Sequence, residues 1–178
     1  KEIEDLILAY EFAMQHELSL TAFLKTHGIA SKEFLIKTKR GKLREEQVGV
    51  YGQSGLVYLA IEPQFVKKEM TAFFEDVTKL LNQKLSVEES FYFASMIHLV
   101  FVKIHPFMDG NGRTARLIEK WFLSEILGTK AWNIESEKYY FLNRPAYYEN
   151  VNLGVNYYEV NYDRCIPFLQ MLPQSLAK

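Results

Sequence analysis

A histidine, a carboxylate, two glycines flanking an asparagine, and two arginines fall within one short run of this chain: His105-Pro106-Phe107-Met108-Asp109-Gly110-Asn111-Gly112-Arg113-Thr114-Ala115-Arg116. Apolar, helix-like segments lie on both sides, the second from Leu117 to Leu127 with Gly128 to close it. The run therefore occupies a helix–loop–helix junction, with its glycines at the start of the second helix. The first N–H groups of a helix lack intrahelical partners, and the helix dipole makes that end positive. Glycines let successive N–H groups curl towards one anion, so Gly110-Asn111-Gly112 has the composition of a phosphate cradle. Arg113 and Arg116 are three apart and can lean towards the same anion. Asp109 is suited to hold magnesium against phosphate oxygens, because that metal favours a carboxylate plus substrate phosphates. His105, with an unperturbed pKa of about 6.5, is suited to proton transfer near neutral pH. Base, metal ligand, anion cradle and cationic clamp together describe phosphoryl or nucleotidyl transfer. Each part also has a plainer reading: Gly-Asn-Gly can be a turn, His-Pro a helix end, and first-turn arginines merely solvated.

The elements that must carry this junction are mostly helical. Ser86-Val87-Glu88-Glu89 has capping-box spacing and opens a segment, apolar nearly all round, that delivers His105, as expected at the centre of a bundle. Ahead of it, Pro63 predicts a helix start, with Val66, Met70, Phe73, Phe74, Val77, Leu80 and Leu81 on one apolar face. Residues 2–18 show helical spacing, and Ser19 caps a second helix from Leu20 to Thr26 that Gly28 would end. Ser31 is expected to cap another short helix through Thr38. Residues 46–62 break this pattern: Val48, Val50, Val57, Leu59 and Ile61 alternate around Gly52-Gln53-Ser54-Gly55, which predicts a β-hairpin. Such a hairpin is marginal alone and must lean on the helical body. Its free edge could also pair with an extended peptide. Beyond Gly128, a loop through Trp132 to Tyr140 is expected. Asn143-Arg144-Pro145 is then a cap and helix start, Ala146 to Tyr158 is rich in tyrosine and asparagine, and Asp163 caps a last helix with Pro167 in an early turn. His16, His27 and His98 are expected to be surface, capping or core residues rather than ligands. Tyr147 and Tyr148 could stack on a base, but their spacing suits packing.

The chain has 178 residues, 48% hydrophobic and 24% charged, which fits one domain with a sizeable core. A net charge of −1 argues against a nucleic-acid surface, the cluster from Lys37 to Arg44 being the most basic part. The most apolar run, Val87 to Ile104, is interrupted by Glu88, Glu89, His98 and Lys103, so no membrane span is expected. A single cysteine, Cys165, excludes an internal disulfide and fits a reducing, cytoplasmic location.

The run from His105 to Arg116 fills every defined position of His-x-Phe-x-Asp/Glu-Gly-Asn-Gly-Arg-x-x-Arg, and so resembles the signature of the Fic (filamentation induced by cAMP) domain family. Gly41-x-x-Arg44 ahead of Val48-Gly49-Val50 also resembles the family's region before its flap, and basic stretch, hairpin, capped helix and signature follow in the family's order over roughly residues 40–128. The resemblance implies a mostly α, Fic-type helical bundle with a β-hairpin flap, spanning residues 1–178 as a single domain. It implies a protein adenylyltransferase that moves AMP from ATP to a Ser, Thr or Tyr hydroxyl of a target protein, with Mg2+ as cofactor. Carried over by position, His105 is the general base and Asp109 the magnesium ligand. Gly110, Asn111 and Gly112 line the anion hole, Arg113 and Arg116 clamp the phosphates, and Val48, Gly49 and Val50 dock the target. Phe107, being apolar, is expected to anchor the loop in the core. Two other outcomes stay open: a Doc-like phosphotransferase, against which Gly112 speaks, and a non-catalytic nucleotide-binding adaptor of the same fold.

Relatives are often silenced by a helix of pattern Ser/Thr-x-x-x-Glu-Gly/Asn. The only spacing match here is Thr71…Glu75, followed by Asp76 in the middle of an amphipathic helix. These residues are therefore expected to lack a built-in inhibitor, which would lie upstream of Lys1 or on an antitoxin-type partner.

Overall fold

In chain order the helices are α1 (Glu2–Met14), α2 (Leu20–Ala30), α3 (Pro63–Leu81), α4 (Val87–Ile104), α5 (Asn111–Leu127), α6 (Ser136–Leu142), α7 (Arg144–Val151) and α8 (Ile166–Gln174). Strands β1 (Gly49–Gly52) and β2 (Gly55–Leu59) form an antiparallel pair between α2 and α3. This computed structural model describes residues 1–53 and 55–177, so Ser54 of the expected turn lies outside the described residues. The molecule is mostly α with a small hairpin, the fold class expected from the pattern of helical and alternating segments. Among the described residues no helix is long and apolar enough to cross a membrane.

The core is built around α4 and α5, the two helices that flank the signature loop. The α4 start is fixed by a reciprocal cap: Ser86 Oγ accepts from the Glu89 N–H at 3.2 Å, and Glu89 Oε2 accepts from the Ser86 N–H at 2.7 Å. Ala94, Leu99 and Phe101 of α4 and Leu117, Ile118 and Phe122 of α5 are fully buried. The α3 face adds Val66, Met70, Phe73, Phe74 and Val77, and Pro63 lies in its first turn as expected. Each buried Leu, Ile, Phe or Met contributes roughly 1.5–3 kcal/mol, so the loop between α4 and α5 is mounted on the stiffest part of the molecule.

Several elements depart from the sequence expectations. The helix α1 stops at Met14, short of residue 18. Gly28 does not end α2, which runs on to Ala30. Instead Gly41, at φ +64°, crosses α2 so closely that a Cβ there would lie 2.6 Å from the Leu24 carbonyl oxygen and 3.3 Å from the Gly28 Cα. Glycine is thus required at 41, whereas at 28 a Cβ would meet Gly41 only at an ordinary 3.6 Å. Ser31 ends α2 instead of capping a new helix, its N–H bonded to the His27 carbonyl, and residues 32–41 form turns. The segment expected as a loop from Trp132 to Tyr140 contains α6, held by the buried Tyr140. The helix α7 begins at Arg144, where Asn143-Arg144-Pro145 places a start, and runs to Val151. Asp163 sits in a 3-10 turn before α8 and does not cap it, while Pro167 is in the first turn as expected.

The hairpin pairs Gly49 with Leu59 and Val50 with Tyr58, then shifts by a bulge before Tyr51 pairs with Leu56. It is tied to the body at few points. Tyr58 Oη donates to the Lys103 carbonyl at 2.6 Å and the Leu59 N–H to the Val155 carbonyl at 2.9 Å, while Gln47 Nε2 joins the two stems by donating to the Ala60 carbonyl at 2.6 Å. The Val155 contact occupies the outer edge of β2. The Ala60 N–H donates to Val48 O, which makes Val48 and Val50 face β2 and turns the Gly49 N–H and C=O towards the free edge of β1.

Candidate active site

The helix α4 ends on His105, whose φ of 52° and ψ of 58° make it the one non-glycine with positive φ among the described residues. That conformation costs about 1–2 kcal/mol for an L-residue, so surrounding contacts must impose it. They come from Arg44, which is 2% exposed. Its Nε donates to the His105 carbonyl at 2.7 Å and its Nη2 to the Ile104 carbonyl at 3.4 Å, which satisfies the exposed C-terminal carbonyls of α4. The same guanidinium reaches the Glu46 carbonyl at 2.9 Å and the Ile61 carbonyl at 2.6 Å, one on each stem of the hairpin. The Arg44 N–H adds a bond to the Pro106 carbonyl at 2.9 Å. One buried arginine therefore joins the hairpin stems to the base of the signature loop.

The His105 ring is tuned by the same surroundings. Burial lowers its pKa from the usual 6.5 to about 4, so it is neutral at physiological pH. Its Nδ1 lies 3.2 Å from the Val102 carbonyl oxygen. A carbonyl only accepts, so Nδ1 carries the proton and Nε2 presents a lone pair. That is the protonation state a general base requires.

The loop beyond His105 is clipped shut by Asn111. Its Oδ1 accepts from the Phe107 N–H and its Nδ2 donates to the Phe107 carbonyl, both at 2.9 Å. Phe107 is fully buried, as expected, and stacks on His27 with ring centroids 3.6 Å apart and planes 2° from parallel. His27, expected near a helix end at the surface, is instead 1% exposed. It accepts from the Gly41 N–H on Nδ1 and donates from Nε2 to the Asp109 carbonyl, each at 3.0 Å. Burial pushes its pKa down to about 4, in keeping with this single neutral tautomer. At Gly110, φ is +81°, and a Cβ would meet the Phe34 ring at 3.0 Å. Glycine is required there on both counts.

The Asn111 side chain is thus fully committed to the loop and does not line an anion hole; only its backbone is available. The Gly110 N–H is also taken, by Asp109 Oδ1 at 2.6 Å. The first backbone bond of α5 runs from the Thr114 N–H to the Gly110 carbonyl, which leaves the N–H groups of Asn111, Gly112 and Arg113 without an intrahelical acceptor. The backbone cradle therefore lies one residue further along than the glycine pattern suggests. Asp109 is exposed, and its Oδ2 has no partner among the described residues. One open carboxylate oxygen beside a phosphate cradle fits a magnesium ion that takes its remaining ligands from substrate and water. Among the described residues no cluster of three acidic, histidine or cysteine side chains could form an all-protein cage.

The two arginines differ. Arg113 pairs with Glu2 at 2.8 Å and lies over the Phe34 ring at 4.6 Å. Arg116 is half-buried beside the Tyr147 ring and forms no ion pair among the described residues. Behind it runs a buried polar chain: Tyr147 Oη bonds His98 Nε2 at 2.9 Å, and His98 Nδ1 lies 2.7 Å from Glu119 Oε2. Tyr140 Oη donates to the same carboxylate oxygen at 2.8 Å. His98 is thus a satisfied core histidine, and Tyr147 is a packed residue rather than an open platform. Glu75 sits on the exposed face of α3, as its amphipathic pattern predicts.

The candidate site residues of the signature open on one cavity of about 900 Å³. Its walls include His105, Asp109, the Asn111–Arg113 turn and Arg116, and, across from them, Val48 to Gln53 of the hairpin. That volume is at the upper end for small-molecule sites, which usually run to about 1,000 Å³. Lys103, 2% exposed, also lines it. The sequence reading missed His27 and Lys103 as site residues, since neither lies within the signature. A polar side chain interrupting an apolar helix two residues before His105 was the available signal for Lys103.

Comparison with known proteins agrees with this geometry. The profile described as Fic/DOC family matches residues 17–123. The chain is 31% identical over 116 residues to the protein adenylyltransferase Fic of Nematostella vectensis, covering 65% of this chain and 24% of that protein. It is 32% identical over 108 residues to the protein adenylyltransferase fic-1 of Caenorhabditis briggsae, covering 58% and 18% respectively. The chain thus spans about a quarter or less of these curated relatives. Among solved structures, a Fic domain-containing signaling protein from Bacteroides thetaiotaomicron superposes with a TM-score of 0.74 at 20% identity, over 98% of this chain and 67% of that one. A Fic family protein from Desulfovibrio desulfuricans gives 0.75 at 19% identity, over 99% and 53%.

Proposed function

The chain belongs to the Fic/DOC family, and from that premise we propose that it is a protein adenylyltransferase, moving AMP from ATP to a Ser, Thr or Tyr hydroxyl of a target protein. The observation that carries this reading is the shared cavity: a neutral histidine with a free Nε2, an open carboxylate, three unbonded N–H groups and two arginines face a hairpin with a free strand edge.

In the reaction, His105 Nε2 takes the proton of the target hydroxyl as its oxygen attacks the α-phosphorus. The bond from that phosphorus to the bridging oxygen of the β-phosphate breaks, and pyrophosphate leaves. A bound nucleotide brings negative charge into the cavity and raises the depressed His105 pKa, which improves it as a base. The N–H groups of Asn111, Gly112 and Arg113, with the positive end of α5, receive phosphate oxygens, and Arg116 clamps the far end of the triphosphate. Arg113 joins the clamp on exchanging Glu2 for phosphate, a stronger anionic partner. Asp109 would hold magnesium, which supplies charge neutralisation on the leaving pyrophosphate. The edge of β1 at Gly49 aligns the target segment as an added strand.

The test is labelling with ATP carrying label at either the α- or the γ-phosphate, against a host lysate, with His105→Ala as control. Transfer from the α-phosphate alone, lost in the variant, is the expected result. Transfer from the γ-phosphate alone would overturn it in favour of phosphorylation.

A further inference from the structure

Lys103 is a cation with no counter-ion. Its side chain is almost entirely buried, yet it lines the active-site cavity. Among the described residues its ammonium has neither a hydrogen-bond acceptor nor a carboxylate within reach; its one polar-type contact is the Tyr58 ring, 4.5 Å away. Burial lowers its pKa to about 8, so it still carries its charge at neutral pH. A lone buried charge is among the less favourable things a fold can hold, and it is normally neutralised or paired. The other charged groups of this cavity do not relieve it. His105 is neutral, Arg113 is paired with Glu2, and Asp109 forms no ion pair among the described residues.

The position of the ammonium indicates what it awaits. Phosphate already has the α5 N-terminus and the two arginines. Lys103 lies instead against Tyr58 of β2, the residue paired with Val50, so it stands beneath the strand along which a target segment would run. It is also two residues from His105, within reach of the side chains flanking an acceptor hydroxyl.

We propose that Lys103 is a specificity-determining residue of the docking groove: it receives the carboxylate of an aspartate or glutamate lying next to the acceptor hydroxyl in the target segment. This rests on the reading of the hairpin as the target-docking edge.

The experiment uses an immobilised peptide library with a central Ser, Thr or Tyr and each flanking position fixed in turn as Asp, Glu, Gln or Lys. Two readouts are taken with the full chain: peptide retention without nucleotide, and transfer of α-phosphate label from ATP. Wild type is expected to favour Asp or Glu over Gln at one flanking position by about tenfold, the ratio of a single desolvated ion pair. Lys103→Met should level that preference while leaving ATP affinity unchanged, and Lys103→Glu should shift it to Lys. Folding of the variants is checked by thermal melting, where Lys103→Met is expected to melt no lower than wild type because it removes the unpaired charge. A preference unaltered by both variants, or a fall in ATP affinity in Lys103→Met, would overturn the proposal, the latter by assigning the lysine to nucleotide. Acidic preference in retention without any label transfer would uphold Lys103 and defeat the adenylyltransferase reading. Label transfer without acidic preference would do the reverse.

Discussion

Across the cavity, the signature loop and the hairpin are held in opposite ways. From His105 to Gly110 the chain is fixed by side chains that reach its backbone from three other segments: Arg44 on the carbonyls of Ile104 and His105, His27 on that of Asp109, and Asn111 on both polar groups of Phe107. The hairpin is held at its stems by Arg44 and along β2 by Tyr58 and the Leu59–Val155 bond, while its tip stands on its own ladder with Tyr51 and Leu56 largely exposed. Groups that perform bond chemistry must be held to fractions of an ångström. A strand edge that accepts varied segments gains from being easily displaced. The difference in fastening matches the difference between the two proposed tasks, and it can be tested one fastening at a time.

The largest effect is expected at the base. His105→Ala should lower the rate of target modification by about 10³-fold or more, with ATP affinity and the melting temperature near wild type. Single-turnover labelling beside calorimetric ATP binding measures this. Next is Arg44→Ala, which strands several buried carbonyls and removes the join between loop and hairpin. A loss of about 3–4 kcal/mol in urea unfolding is expected, and Arg44→Lys should recover little, because an ammonium cannot span the four carbonyls the fork reaches. A loss below about 1 kcal/mol would mean that the loop is fastened elsewhere.

His27 gives a smaller effect with a defined pH dependence. Its folded pKa of about 4 lies below the unfolded 6.5, so the unfolded chain binds more protons between those values. Stability should therefore rise with pH from about 4 to 6.5 and fall away as pH drops through that window, by about 3 kcal/mol at most. Replacing His27 by Phe keeps the stack on Phe107 and should flatten this dependence; an unchanged slope would assign it to other groups. The smallest effect on stability is expected in the hairpin. Val50→Pro breaks the pairing with Tyr58 and should cost about 1 kcal/mol or less, yet cut target modification about tenfold while ATP binding holds. Equal loss of both activities would show that the hairpin is a structural cover.

What was legible in the sequence follows the same division. The signature is contiguous, so composition alone exposed base, carboxylate and arginines. Two of its three fastenings, Arg44 and His27, come from residues 60 or more positions away, and no local pattern announces them. His27 looked like a helix-end histidine because Gly28 carried the usual stop signal, but α2 runs on to Ala30 and buries that ring against Phe107. Asn111 offers its backbone N–H to the cavity as the glycine pattern suggests, but the inward turn of its side-chain amide was not legible, because it depends on Phe107 offering both a donor and an acceptor. The capped α4 and the Pro63 start of α3 were legible because both signals act within one turn. The helix α6 was not, since its order comes from burial of Tyr140; the 3-10 turns Tyr157–Glu159 and Tyr162–Arg164 are capped locally, by Asn156 and Asn161.

One feature of the loop bears on how such a domain could be engineered. At a helix terminus in the left-handed region, glycine is the residue that folding alone would choose. A laboratory search that ranked variants by heat resistance would find His105→Gly among its easiest gains, and would delete the base in its first round. Screens on this domain should therefore keep that position invariant, because there durability and turnover pull in opposite directions.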